Sequence, residues 1–274
     1  MTGIFNYIDR PSPIHDLTGA TKLLCLLLWS FAAMSTYDTR LLAALVVASV
    51  VLFRISRIGL RDVKFMLGFT AAFMVINNIL VYLFSPQHGT EIYGTTHVIL
   101  GSGRFALTQE QLFYHLNYFL KYLATIPIVL LFVCTTNPSE FAASLNKLGV
   151  KYTVAYSVAL ALRYIPDVQQ EYHEISQAQQ ARGIEMSSKA SVVQRLRSAS
   201  SILIPLILSS MEKIEVISNA MELRSFGKHK KRTWYMGRPF RAADILSMAV
   251  CALLVLLSIW CNIRNGSRFY NPFL

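Results

Sequence analysis

Charge is what this sequence has least of. Asp, Glu, Lys and Arg make up 15% of its 274 residues, against 54% hydrophobic. A soluble domain of this length buries a good core but carries more charge than this over its surface. A large soluble helical protein is therefore disfavoured. Cysteine is scarce and unpaired in pattern. Cys25, Cys134, Cys251 and Cys261 sit in or beside apolar runs and form no CxxC pair, which points to reduced, buried thiols and away from a disulfide framework. Phosphate-loop spacing is missing, because Gly101-Ser102-Gly103 lacks the GxxxxGK[ST] pattern. His15 and Asp16 have no second histidine at ligand spacing, so they read as a local turn or cap and not as a metal site. The N-terminus has no Lys/Arg-rich start and no clear cleavage site, so the apolar run from Leu23 reads as a retained helix. The net charge of +11 comes without a zinc finger or RNP pair, which excludes nucleic acid as the expected partner.

Long apolar blocks are what the chain does have. Leu23–Tyr37 and Leu41–Phe53 are uncharged but short for spans, which need about 20 residues. Each extends through its flanks if Lys22 and Arg54 snorkel to the headgroups. Phe65–Gln87, Leu112–Cys134 and Ile245–Ile263 follow. The spacing predicts an all-α integral membrane protein with about five transmembrane helices. Three segments result: 1–135 with four helices, 136–241, which is polar and basic, and 242–274 with the last helix and a tail. Residues 1–22 are a polar lead-in broken by Pro11, Pro13 and Gly19, and 88–111 reads as an external loop or short hairpin. Asn77-Asn78 is costly at mid-membrane depth, and is either an inter-helix or partner contact or a locally satisfied pair. Lys121 must face a partner or reach the interface, and Pro127 predicts a kink.

Placing the N-terminus inside puts 21 Lys/Arg on the cytoplasmic side and four (Arg40, Arg104, Arg264, Arg268) outside. That contrast favours a cytoplasmic N-terminus and middle segment, with the long middle stretch discounted.

The middle segment opens with Asn137-Pro138-Ser139-Glu140, a helix start. A short helix to Leu148 would show Phe141, Leu145 and Leu148 on one face and end at Gly149. From Tyr152 an apolar stretch turns polar and reaches Ala181-Arg182-Gly183, with Gly183 as a helix end. From Ser200 the plan repeats and reaches Leu223-Arg224-Ser225. At an offset of 42, Ile175, Ser176, Ala178 and Arg182 recur as Ile217, Ser218, Ala220 and Arg224. Two like helix ends suit a dimeric or pseudo-dimeric partner. An arginine there is either a forked hydrogen-bond donor for a protein groove or a solvated cation favoured by the helix dipole. Lys228, Lys230, Lys231, Arg232, Arg238 and Arg241 form a basic cluster suited to anionic membrane lipid.

A competing class is an interfacial membrane enzyme acting on a lipid-linked substrate, which needs converging acids or a histidine pair. Asp167, Glu171, His173 and Glu174 are its best candidates. His173 and Glu174 point apart on a helix, while Asp167 and Glu171 share a face as solvated residues also do.

With these motifs in view, the chain resembles the transmembrane coupling subunit of energy-coupling factor vitamin transporters, the family that includes the cobalt-transport permease subunits. The resemblance rests on Ser12-Pro13-Ile14-His15 with Lys22, Thr135-Thr136-Asn137-Pro138, Leu162-Arg163-Tyr164-Ile165-Pro166, and the motifs at 181–183 and 223–225. It implies that Arg182 and Arg224 end cytoplasmic amphipathic coupling helices docking into two ATP-binding subunits, with Ala181 and Gly183 allowing close packing. It also implies no catalysis and no cofactor in this chain, ATP and Mg in the partners, and a small membrane subunit that binds a vitamin or metal. Leu223 stands where that family often has alanine and Ser225 where glycine occurs. Asp16-Leu17-Thr18 replaces an Asp-Pro-Arg run.

Overall fold

The computed structural model describes residues 10–101, 103, 105–184, 192–229, 233–234 and 237–272. Ser102, Arg104, Lys230, Lys231 and Arg232, named above, lie outside them. The described chain is helical: α1 (Gly19–Ser35), α2 (Thr39–Ile55), α3 (Leu60–Phe84), α4 (His88–Tyr93), α5 (Gln109–Thr135), α6 (Pro138–Lys147), α7 (Tyr152–Ala181), α8 (Val192–Leu223) and α9 (Ala242–Arg264). Of the two readings for this stretch, loop or short hairpin, the second forms between α4 and α5, pairing β1 (Val98–Leu100) with β2 (Leu107–Thr108).

Among the described residues three helices are long and apolar enough to cross a membrane, namely α3 from Val63, α5 and α9. Helices α1 and α2 have 17 residues each. That is about 25 Å of rise against a hydrocarbon core of about 30 Å, at the short end of the range for a span. The chain divides into two compact units, Met1–Asn137 with Arg238–Leu274, and Pro138–Gly237.

In the first unit, α1 packs on α9 and α2 on α5. Helix α9 is largely apolar all round, so burial cannot be read from hydrophobicity. It buries Asp244, Cys251 and Ser258, one residue every two turns, and turns Leu246, Leu253, Leu256 and Ile263 outward. Small and polar residues mark the interface and large ones the lipid face. Ala32 and Ala33 of α1 let α9 approach, and Ser35 and Ser258 hydroxyls meet at 2.7 Å. Trp29 Nε1 donates to the Ala124 carbonyl of α5 at 2.9 Å.

Helix α5 continues through Pro127. Proline removes the bond to the Leu123 carbonyl, and Ser49 Oγ of α2 lies 3.4 Å from that oxygen. Lys121 is met inside the protein: Nζ donates to the Met34 carbonyl at 3.0 Å and stands 3.2 Å from the Tyr37 ring centre. The Asn77-Asn78 pair bridges helices. Tyr118 Oη donates to Asn77 Oδ1, and Asn78 Oδ1 faces His115 Nδ1.

Two expectations for the lead-in need correction. Gly19 does not break the helix but starts it, because Thr18 caps α1 just before. Lys22 does not snorkel. It is 5% exposed, and Nζ donates to the His15 carbonyl at 3.2 Å and the Thr135 carbonyl at 2.9 Å. The turn holding His15 is closed by Ser12 Oγ at 2.6 Å from His15 Nδ1. Thr18 N–H donates to Asp244 Oδ1 at 2.8 Å. Motifs far apart in sequence thus converge on one polar knot, which unites the resemblance's N-terminal segment with Thr135.

In the second unit, α6 and α7 form a hairpin turned by Gly149 at φ +99°. Helix α6 ends at Lys147, one residue before Leu148. Ala142, Ala143 and Ser144 are buried, Phe141 and Leu145 are half-buried, and Leu148 is exposed. A hairpin this tight packs small side chains inward. Helices α7 and α8 pack side by side.

Candidate docking site

Both arginine motifs close their helices in one way. Past α7, Ile184 N–H returns to the Gln179 carbonyl and Gly183 N–H to Gln180. Past α8, Phe226 N–H returns to Met221 and Ser225 N–H to Glu222. Each set is the six-to-one and five-to-two pair of a Schellman cap, and the two coincide at the offset of 42. Arg182 and Arg224 are therefore the last residues before a left-handed turn. Their N–H groups bond back to Ala178 and Ala220. Ala181, Arg182, Gly183, Leu223, Arg224 and Ser225 are all exposed, Leu223 at 88%.

The turn residue has φ +84° at Gly183 and +54° at Ser225. A left-handed backbone costs an L-residue about 1–2 kcal/mol, and glycine gives back part of that as lost chain entropy. Ser225→Gly is therefore expected to stabilise the α8 end by about 0.5–1 kcal/mol. Thermal unfolding followed by tryptophan fluorescence checks this, with Gly183→Ser shifting the midpoint the opposite way.

The two ends point apart. Gln179 Nε2 donates to the Ser201 carbonyl, and Ser209 Oγ donates to Glu171. Moving eight residues back along α7 moves the partner eight residues forward along α8, so the helices run antiparallel. Glu171 and Lys213 correspond at the offset of 42, as do Asp167 and Ser209. Glu171 meets Ser209 while Lys213 feels Asp167. Exchanging the helices maps this contact onto itself, so a local pseudo-two-fold axis passes between Gln169 and Met211. Each arginine lies 13 residues beyond that axis. That is about 20 Å of helix rise each, so the two stand no more than about 40 Å apart.

The second end is buttressed by rings. Phe226 lies tilted 4.9 Å from Tyr156 and 5.9 Å from Tyr152, and Trp234 lies 5.5 Å from Tyr152. Trp234 Nε1 donates to Asn146 Oδ1 of α6 at 3.1 Å. Sequence reasoning missed this buttress, although the aromatic residues flanking Arg224 were its visible sign.

The acids weighed for an enzyme are taken up by the helix pair: Asp167, Glu171 and Glu174 all act on the Lys213 ammonium. Glu171 is bonded across the helix pair to Lys213 at 2.8 Å and to Ser209. The Lys213 ammonium first, and then the Ser209 hydroxyl, hold its carboxyl below the usual range. Its carboxylate in turn raises Lys213. Glu174 accepts from Gln170 on its own helix at 2.9 Å. This is the chemistry of a helix seam.

Residues 10–235, including both arginine ends, match the family of cobalt transport proteins, CbiQ. The chain is 27% identical over 263 residues to the energy-coupling factor transporter transmembrane protein EcfT of Streptococcus thermophilus, covering 93% of this chain and 96% of the relative. It is 28% identical over 265 residues to EcfT of Thermanaerovibrio acidaminovorans, with 91% and 94% covered. For EcfT of Heliobacterium modesticaldum the figures are 27% over 267 residues, 93% and 95%.

Proposed function

The chain belongs to the CbiQ family of cobalt transport proteins, and from that premise we propose how it works. It is a non-catalytic transmembrane coupling subunit of an energy-coupling factor transporter for vitamin or metal uptake. Its partners are two ATP-binding subunits, which hold ATP and Mg and carry out hydrolysis, and one small membrane subunit that binds the cargo. Five helices, α1, α2, α3, α5 and α9, span the membrane with the N-terminus inside. Pro138–Gly237 leaves span α5 and returns into span α9, so it stays on the cytoplasmic side. There α7 and α8 are the coupling helices.

The observation that carries this reading is the repeated arginine cap. Two like helix ends, related by a local two-fold axis, suit two like grooves on a pair of ATPase chains. Closure of that pair on ATP would push both ends together. The rigid α7–α8 pair would carry the motion onward to α5 and α9 through the chain itself.

Affinity purification of the tagged chain from its native membrane tests the proposal. The expected complex contains two ATP-binding chains and one small membrane protein, and it hydrolyses ATP while the isolated chain does not. A chain that purifies without ATPase partners, or one that alone turns over a lipid-linked substrate, would overturn it.

A further inference from the structure

Helix α3 is held by little. Only 6% of its apolar stretch is buried, and its principal neighbour is α5. The seam between them is polar. Gly89 N–H of α4 donates to Gln111 Oε1 at 2.7 Å. That fixes the amide, so Gln111 Nε2 is the donor toward the Ser85 carbonyl at 3.3 Å and toward His115 Nε2 at 3.1 Å. His115 Nε2 must then accept, and the ring proton sits on Nδ1. Nδ1 faces Asn78 Oδ1 at 3.1 Å, and Asn78 Nδ2 donates to the Met74 carbonyl at 2.9 Å. Backbone groups at both ends fix every direction in the chain.

We propose that this relay, from Gly89 through Gln111, His115 and Asn78 to Met74, is a proton-sensitive lock that holds α3 and α4 on α5. A second proton on His115 would sit on Nε2, facing the Gln111 amide donor. Gln111 has no way to turn over, because its oxygen is held by Gly89 and its nitrogen serves Ser85 as well. Gly89 has no room to retreat toward α5, since even a Cβ there would lie 2.7 Å from Gln111 backbone atoms. A donor then faces a donor at 3.1 Å; whichever side chain yields takes an inter-helix bond with it, Gln111 those to Ser85 and Gly89 or His115 that to Asn78, and this releases the loop-side end of α3.

The other titratable rings around His115 are Tyr82 of α3, Tyr114 and Tyr118 of α5, and His88 of α4 behind Tyr114. Among the described residues no carboxylate or cation pairs with His115. Its state is governed by the relay itself. The lock does not depend on the role of the arginine ends.

Two measurements test it on the full chain in lipid nanodiscs. Nitrogen NMR of histidine-labelled protein should show His115 as the Nδ1–H tautomer near neutral pH. Spin labels at Leu83 and Leu116, both exposed, are placed in a chain whose four free cysteines are replaced by alanine. They should give one narrow distance at about pH 7.5 and on the order of twofold greater width at about pH 5, below the ordinary imidazole range. His115→Gln should make the distance independent of pH. An Nε2–H tautomer at neutral pH, or a distance distribution unchanged between the two pH values, overturns the proposal.

Discussion

Replacing Arg182 and Arg224 together with alanine is expected to abolish association with the ATP-binding subunits and with it transport, while the chain still folds and inserts. The reason lies in where the residues stand. Both are exposed on the turn that closes a helix, so neither supports the fold by burial. An interface arginine in a desolvated groove is worth about 2–4 kcal/mol. Each loss is then roughly 30- to 1,000-fold in affinity. Single variants should be milder than that arithmetic suggests. The remaining end keeps the second groove at high effective concentration, so assembly weakens with one change and is lost with two.

Lysine at both positions separates the competing explanations. A solvated cation that only complements the helix dipole is worth about 0.3–1 kcal/mol, and lysine supplies it equally well. An arginine that presents a fork to a carboxylate or to backbone carbonyls is not replaced by lysine. Docking therefore predicts that the Arg182→Lys, Arg224→Lys chain remains deficient. Quantitative co-purification with the ATPase subunits, alongside transport in vesicles, measures both. Full assembly and full transport in the lysine chain would remove the forked role and leave only charge.

What the sequence revealed of this site followed from local chemistry. Gly183 announced a left-handed turn, and the recurrence of Ile175, Ser176, Ala178 and Arg182 announced a second end of the same kind. Ser225 carried no such signal by itself, because serine has no preference for positive φ. Only the offset of 42 exposed it. The antiparallel pairing was not legible, since Glu171–Lys213 and Gln179–Ser201 are long-range contacts. For the same reason Asp167 and Glu171 looked like a shared acidic face. The membrane unit was legible as hydrophobic blocks but not as packing. In α9 large apolar residues surround the helix, and lipid accepts them as readily as a protein core does. The buried stripe therefore shows as the small and polar residues at 244, 251 and 258, and not as a concentration of apolar residues on one side. Lys22 misled because a cation at a helix start usually reaches water. Here two carbonyls, of His15 and Thr135, receive it instead.

Asp244→Ala is expected to cost about 2–4 kcal/mol of stability. Asp244 is 0% exposed, and its two oxygens serve two helices. Oδ1 accepts Thr18 N–H at 2.8 Å, and Oδ2 accepts Arg241 N–H at 2.8 Å. Thr18 caps α1 and Arg241 precedes α9, so one carboxylate covers the first turns of both. Alanine leaves the buried Thr18 N–H unpaired, at about 1–3 kcal/mol, and removes a cap from the exposed Arg241 N–H, at about 1 kcal/mol. Asparagine separates shape from charge. Its oxygen satisfies one N–H, while its amide nitrogen opposes the other, so Asp244→Asn should lose about half as much as alanine. Asp167 on exposed α7 is the control, with an expected loss under about 0.5 kcal/mol. Detergent-induced unfolding gives the order of the three variants, and hydrogen exchange locates the effect. Protection should fall at the Thr18 and Arg241 amides together, because they share one acceptor group. A loss of protection at only one of them, or an alanine variant within about 1 kcal/mol of the natural chain, would mean that water or another side chain takes over the carboxylate's task.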